Sequence, residues 1–151
     1  MSQDRARTIL ARFMLILGAA GLWATGADHL YEYLANGFST VPTIGILFLL
    51  NFIAATLVGA GLLLPLERIS KRFGARLTVM LALAGVGIAT TSLLGLWISE
   101  TSSLFGFTDY GFRSTILVAI VAESITILAL SAYLGVSGIR LFHTPPPLRT
   151  R

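Results

Sequence analysis

The segment 77–98, LTVMLALAGVGIATTSLLGLWI, contains no charged residue, and it is bounded by Arg76 before it and Glu100 after it. A helix needs about 20 predominantly apolar residues to cross the hydrocarbon core of a bilayer. In the whole chain 55% of the residues are hydrophobic and only 12% are charged, whereas soluble globular proteins carry roughly 25% charged residues. The segment therefore predicts a transmembrane helix, and the composition indicates an integral membrane protein surrounded by the lipid bilayer.

Three further segments have the same length and apolar character, at residues 8–33, 41–64 and 114–139. The connections between the four segments are short. The chain is long enough for one domain. Together these features predict an all-α fold, in which residues 1–151 form a single integral membrane domain of four transmembrane helices joined by short loops.

Local signals refine the ends of these helices. Ser39 or Thr40 is suited to cap the second helix, with Pro42 in its first turn, where a missing N–H costs nothing. Three consecutive prolines cannot continue a helix, so we expect the Pro/Arg-rich tail at residues 144–151 to be extended and exposed.

The distribution of basic residues predicts the orientation of the bundle. Cytoplasmic loops of membrane proteins carry an excess of lysine and arginine. The chain has 11 lysine and arginine residues. Except for Arg113, they precede the first helix, lie between the second and third helices, or follow the fourth. We therefore expect a multi-pass protein of a bacterial plasma membrane with both termini in the cytoplasm.

Several classes of function are not expected from this sequence. The chain has no cysteine, which excludes thiol redox chemistry and disulfides. His29 and His143 are predicted on opposite sides of the membrane, so one subunit cannot clamp a haem between them. We find no catalytic motif, and the net charge of +4 reflects basic residues at helix ends. We therefore expect no enzymatic activity, no cofactor, no metal centre and no nucleic-acid partner.

Most of the functional information lies in a few polar residues inside the membrane. Counting along the helices places Glu123, Asn51, Thr25 and Thr91 in one slab near the middle of the bilayer, with Thr91 in the run Thr90-Thr91-Ser92. An ionisable group at this depth is costly and must face protein or water. Three roles are open for Glu123. It is protonated much of the time and carries a proton or a cation, or it joins helices through an internal hydrogen bond. In the third, it contacts a partner protein.

The first helix carries a second polar feature. Gly18, Gly21 and Thr25 follow helical spacing on one face, and Asp28 and Glu32 continue it toward the outer end. With the adjacent His29, the two carboxylates form an outer-face acidic cluster. It is either a set of ordinary interfacial polar residues, which we favour, or a weak cation site.

Small residues also recur on the other helices. They predict close helix packing of the small-xxx-small type. The two stripes are Asn51, Ala55 and Gly59 on the second helix, and Gly87, Thr91 and Gly95 on the third.

Aromatic residues concentrate in the two outer loops and at the helix ends beside them, which is typical of an interfacial belt. The run Leu104-Phe105-Gly106-Phe107 is more apolar than a solvated loop needs. We expect Trp97, Phe105 and Phe107 to lie in the membrane interface or to contact a partner.

Two stretches carry a family resemblance. Residues 41–51, VPTIGILFLLN, follow the element His29-Leu30-Tyr31, and the run at 104–107 is followed by a fourth helix containing Val121-Ala122-Glu123. This pattern resembles one found in small uncharacterised four-helix membrane proteins of actinobacteria, and the general plan is similar to the DoxX-like group. The resemblance covers most of the chain and implies a four-helix fold in an actinobacterial plasma membrane, without a function or a site.

Two functions are compatible with these features. The small size, the small-residue stripes, the aromatic outer loops and the lack of a catalytic set favour a non-enzymatic subunit or accessory protein of a larger plasma-membrane complex. Its expected partner is another membrane protein or further copies of itself. The alternative is a small proton- or cation-coupled transporter that uses Glu123.

Overall fold

The computed structural model describes residues 3–70, 73–108 and 114–142, with side chains described through residue 137. Four of the five helices in these ranges are long and apolar enough to cross a membrane, and the same ranges contain no β-strand. The predicted all-α fold of four transmembrane helices is therefore confirmed. The helices are α1 (Gln3–Ala35), α2 (Ile44–Leu63), α3 (Leu66–Ile69), α4 (Gly74–Thr101) and α5 (Ser114–Phe142).

The helix bounds differ from the predicted ones mainly at the ends. The first and third predicted helices extend further in both directions, as α1 and α4. The single turn α3, between α2 and α4, was not predicted. The predicted tail at 144–151 and the residues Arg113 and His143 lie outside the described residues.

The start of α2 differs from its prediction. Ser39 and Thr40 belong to a 3₁₀ turn, Phe38–Thr40, and Pro42 precedes the helix instead of lying in it. Thr43 has φ 61° and ψ −59°, and the Ile44 N–H donates to the Pro42 carbonyl at 2.6 Å. This is a γ-turn of the rare, strained kind.

Burial of Phe38 accounts for this irregular start. Phe38 is a buried side chain in the 3₁₀ turn, and its carbonyl lies where a Cβ on Gly45 would be. The chain therefore folds back tightly under the first turn of α2. The predicted side-chain cap is wrong, because Thr43 is the N-cap residue without a side-chain hydrogen bond and the Thr40 hydroxyl donates to the Gly37 carbonyl instead.

Close helix contacts follow two of the three predicted small-residue stripes. On α1, a Cβ at Gly18 would collide with Leu130 of α5, and one at Gly21 would collide with Thr126 and lie 3.0 Å from the Ala122 carbonyl. On α2, Gly59 packs beside Trp23 of α1. At Gly21 the limit is the backbone of α5, whereas at Gly18 and Gly59 the side chains of Leu130 and Trp23 occupy the space that a Cβ would need.

The third predicted stripe is wrong. A Cβ at Gly87 would meet no described atom within 4 Å, and one at Gly95 would meet only Leu104, at 4.0 Å. The buried stripe of α4 instead contains Ala82, Gly85 and Ala89. Two sets of small residues run along α4 at helical spacing, and the predicted set is the one that does not contact another helix.

The hydrophobic core lies toward one end of the bundle. We call the end at which α1 finishes and α2 begins the outer end, following the predicted orientation. Leu22 and Leu130 are fully buried at the centre of the core, which also contains Ala55, Leu62 and Ala82. Since Leu62 and Ala82 lie in the inner halves of their helices, the core closes the inner part of the bundle and leaves the outer part less filled.

The close approach of α1 and α5 gives a direct test. Replacing Gly21 with alanine should lower the free energy of unfolding by about 1–3 kcal/mol, because the added methyl group overpacks the contact with Thr126 and Ala122. Gly87→Ala is the matched control, since it adds the same methyl group in open space. Thermal unfolding of both variants in one detergent measures the difference. Equal stability of the two would contradict the packing described for α1 and α5.

Candidate functional site

A cavity of about 390 Å³ lies at the outer end of the bundle, between α1, α2, α4 and α5. We call it the outer cavity. Its volume falls within the range of small-molecule sites in proteins. Among the described residues, no lysine or arginine lines it. Its principal polar lining residues are Asp28, His29, Glu32, Asn51, Ser92 and Glu123.

The outer cavity unites two groups of residues that the sequence treats separately. Glu123, Asn51 and Thr91, predicted at one depth in the membrane, all line it. So do the three members of the acidic cluster predicted at the outer end of the first helix. The sequence grouped the first set by depth, but it did not indicate that both sets face one space.

The acidic cluster therefore does not face the exterior. His29 and Glu32 are buried, and Asp28 is partly buried. In the described chain no group of three or more His, Asp or Glu side chains has the arrangement of a metal site. The geometry gives no support to the cation site of carboxylates and imidazole on one helical turn.

Thr25 is the one member of the predicted intramembrane set that is absent from the cavity lining. It is fully buried, with an unpartnered hydroxyl. Its backbone carbonyl holds the His29 ring. Ser92 belongs to the predicted slab but was not selected as a site residue. Ser99 and Thr115, which also line the cavity, were not identified from the sequence.

The His29 ring is fixed by a hydrogen bond at each nitrogen. Nδ1 lies 2.9 Å from the Thr25 carbonyl oxygen, and Nε2 lies 3.1 Å from the Ser92 hydroxyl. A carbonyl oxygen only accepts, so Nδ1 carries the hydrogen. In the neutral ring Nε2 then accepts from Ser92. The ring also packs edge-on against Phe48, with centroids 5.0 Å apart.

Glu123 has a different environment. Its side chain is 1% exposed, and neither carboxyl oxygen has a hydrogen-bond partner in the described structure. The Ser92 hydroxyl interacts with this carboxyl but lacks the geometry of a hydrogen bond. Asp28 is also close enough for its charge to repel that of Glu123. The carboxyl is therefore buried in the bundle beside a like charge, without a lysine or arginine in the described lining to balance it.

Three further cavity groups lack partners. Both oxygens of Glu32, which is 6% exposed, the side-chain oxygen of Asn51 and the hydroxyl of Thr115 have none among the described atoms. A buried polar atom left unsatisfied costs about 1–3 kcal/mol. The unpartnered atoms of Glu32, Asn51 and Glu123 are all oxygens, so the lining presents acceptors that lack donors. Chemically, it is suited to a ligand that donates hydrogen bonds or carries a positive charge.

The loop between α4 and α5 covers part of the outer cavity. Leu104 and Phe107 pair through two backbone hydrogen bonds of 2.7 and 2.9 Å. Phe105 and Gly106 between them have φ values of 52° and 82°, which are the signs of a type I′ turn. Leu104 and Phe107 line the cavity, and Phe107 packs against Phe38.

The three aromatic residues predicted at the interface point in different directions. Phe107 faces the cavity, so the structure does not place it on the outer surface. Phe105, at the tip of the turn, is 69% exposed, and Trp97 on α4 is 65% exposed. Only these two present their rings outward.

No protein-family model, curated protein or solved structure matches this chain. The assignment of the site therefore depends on the geometry of its own residues. The resemblance to small actinobacterial membrane proteins stays a prediction.

A substitution at Glu123 tests whether its carboxyl holds the helices together or belongs to a ligand site. Replacing Glu123 with leucine should raise the free energy of unfolding by about 1 kcal/mol or more, because an unsatisfied buried group is removed. Thr126→Val is the matched control one turn away, where the hydroxyl already donates to the Ala122 carbonyl at 2.9 Å. Thermal unfolding in one detergent measures both. A less stable Glu123→Leu protein would show that the carboxyl holds the helices together.

Proposed function

We propose that the protein is a small, non-enzymatic transporter that binds its substrate in the outer cavity and uses Glu123 as its exchangeable proton site. The observation that supports this most directly is the Glu123 carboxyl, buried in the cavity with both oxygens unpartnered. Intramembrane carboxyls in such settings are typical of ion and proton pathways. A purely structural carboxyl would have a hydrogen-bond partner.

The position of Glu123 fits a gated site. On each of α2, α4 and α5, one lining residue lies farthest from the outer end. These residues are Ala54, Ile88 and Glu123. Beyond them the core around Leu22 and Leu130 closes the bundle. The carboxyl is thus at the inner limit of a space on one side of the membrane, with an apolar barrier on the other side, as alternating access requires.

The charges of the cavity favour coupling between a proton and a cation. Asp28, Glu32 and Glu123 line it, and the described lining contains no lysine or arginine. Its histidine, His29, has a hydrogen bond at each ring nitrogen. When Glu123 is ionised it attracts a cation, and when it is protonated that attraction is lost. A proton and a cationic substrate therefore compete for one carboxyl, and this competition couples their movements.

The second candidate is a subunit or accessory protein of a larger membrane complex. The observation that favours it is the outward exposure of Trp97 and Phe105 at the outer end. Large exposed aromatic residues are common anchors in protein interfaces, although they also suit the interfacial belt. The cavity reverses the order in which the sequence ranks these two functions, because an accessory role does not need unpartnered buried carboxyls.

We also propose that both termini and the α2–α4 connection face the cytoplasm of a bacterial cell. The asymmetry of the basic residues supports this orientation. Because the chain contains no cysteine, single cysteines report on it without background. We expect Ser103→Cys, in the outer loop, to react with a membrane-impermeant maleimide on intact cells. Glu67→Cys, on exposed α3, should react only after lysis, and the reverse pattern would contradict the proposed orientation.

Proton-coupled transport is tested with the purified protein in liposomes that hold a pH-sensitive dye. Sodium, potassium and organic ammonium ions are added in turn to acid-loaded vesicles. We expect at least one cation to release protons and Glu123→Gln to abolish that release, because the amide cannot exchange a proton. Glu100→Gln is the matched control, since it removes a carboxyl of α4 that does not line the cavity.

The same preparation separates the two candidates. Proton release by the protein purified alone supports the transporter. Flux that Glu123→Gln leaves unchanged would exclude Glu123 as the proton site. A protein that shows no flux and copurifies stoichiometrically with another membrane protein from native membranes would favour the accessory role, and Phe105→Ser should then weaken that association.

A further inference from the structure

The geometry points to a lipophilic ammonium ion as the ligand of the outer cavity. We propose that it reaches the cavity from the surrounding lipid, through a lateral opening between α2 and α4. This inference rests on the proposed binding role of the cavity and adds to it the class of substrate and its route.

The opening is visible in how the four walls of the cavity differ in exposure. From α1 and α5, His29, Ile116 and Glu123 line the cavity and are buried. From α2 and α4, Leu50 and Thr91 line the same cavity and are exposed, Leu50 by 55%. Residues that line a cavity and also face outward mark its edge. The cavity is therefore closed behind by α1 and α5 and open between α2 and α4.

The packing of the helices agrees with this position. α2 and α4 contact each other less extensively than α1 contacts α2 or α5, or than α4 contacts α5. Gly95 lies on the α4 side of the cavity, and a Cβ there would meet only Leu104, at 4.0 Å. No side chain fills the edge of the opening at that position. Within residues 44–63 and 77–98, the exposed residues other than Thr90 and Thr91 are apolar, so the opening faces lipid.

The chemistry of the lining changes from the opening inward. On the side of the lateral opening, Leu47, Leu50 and Leu96 make the lining apolar. The unpartnered oxygens of Asn51 and Glu123 lie deeper in the bundle. A molecule with an apolar body and a positively charged N–H head matches both parts, since the head supplies donors and charge to the carboxyl.

Other amphiphiles match less well. A carboxylate or phosphate head would meet the carboxyls of Asp28, Glu32 and Glu123, with no described lysine or arginine in the lining. A neutral alcohol would supply one hydrogen-bond donor but no charge. Among amphiphiles of equal length, the ammonium ion should therefore bind most tightly.

The class of ligand is tested by calorimetry on the full-length protein in lipid nanodiscs. The probes are decylammonium, decanol and decanoate, which share one chain length, and empty nanodiscs correct for partition into lipid. We expect decylammonium to bind best and Glu123→Gln to weaken its binding by at least about tenfold, as loss of one member of a buried charge pair does. Decanol or decanoate binding as tightly as decylammonium would overturn the proposed class.

The route is tested by a pair of substitutions on α4. Gly95→Leu places a side chain at the edge of the opening, whereas Gly87→Leu adds the same group outside the cavity lining. A Cβ at Gly87 would have no neighbour within 4 Å, and one at Gly95 would have only the Leu104 side chain, at 4.0 Å. We expect Gly95→Leu to slow decylammonium association by at least about tenfold and Gly87→Leu to leave it unchanged. Equal association rates in the two variants would overturn the lateral route.

These results are separable from those on the proposed function. Decylammonium binding that requires Glu123, in a protein without proton flux, would support the ligand class and contradict transport. Proton release driven by sodium or potassium, in a protein that does not bind decylammonium, would support transport and overturn the ligand class.

Discussion

The close approach of α1 to α5 is the contact on which the rest of the bundle depends. Gly18 leaves room for the Leu130 side chain, and Gly21 lies against the Ala122 carbonyl of α5. Glu123 is the next residue along α5. The same contact therefore turns Glu123 inward toward the turns of α1 that carry Asp28 and Glu32, and it places three carboxyls around one space.

The sequence predicts the four spanning helices well because the bilayer imposes a length and an apolar composition on each of them. It does not predict the γ-turn at Thr43, since that geometry depends on where Phe38 is buried. The short helix α3 was missed for a similar reason. A single turn after Pro65 has too few residues to produce a periodic pattern.

The candidate site was predictable in depth but not in direction. Counting residues from the helix ends grouped Glu123 with Asn51, and both line the outer cavity. The rotation of a helix about its own axis decides which cavity a residue faces, and hydropathy does not report that rotation. For this reason the sequence placed His29 at the outer end of the first helix without indicating that its ring turns inward toward Ser92. The choice of the wrong glycine stripe on α4 has the same origin.

One side chain in the core has a consequence for how the sequence can diverge. Leu130 occupies the space that a Cβ on Gly18 of α1 or on Gly85 of α4 would need. The three positions therefore share one volume across three helices. A larger residue at 18 or 85 is compatible with the fold only when position 130 becomes smaller, so these sites should covary in an exchange that conserves their summed size.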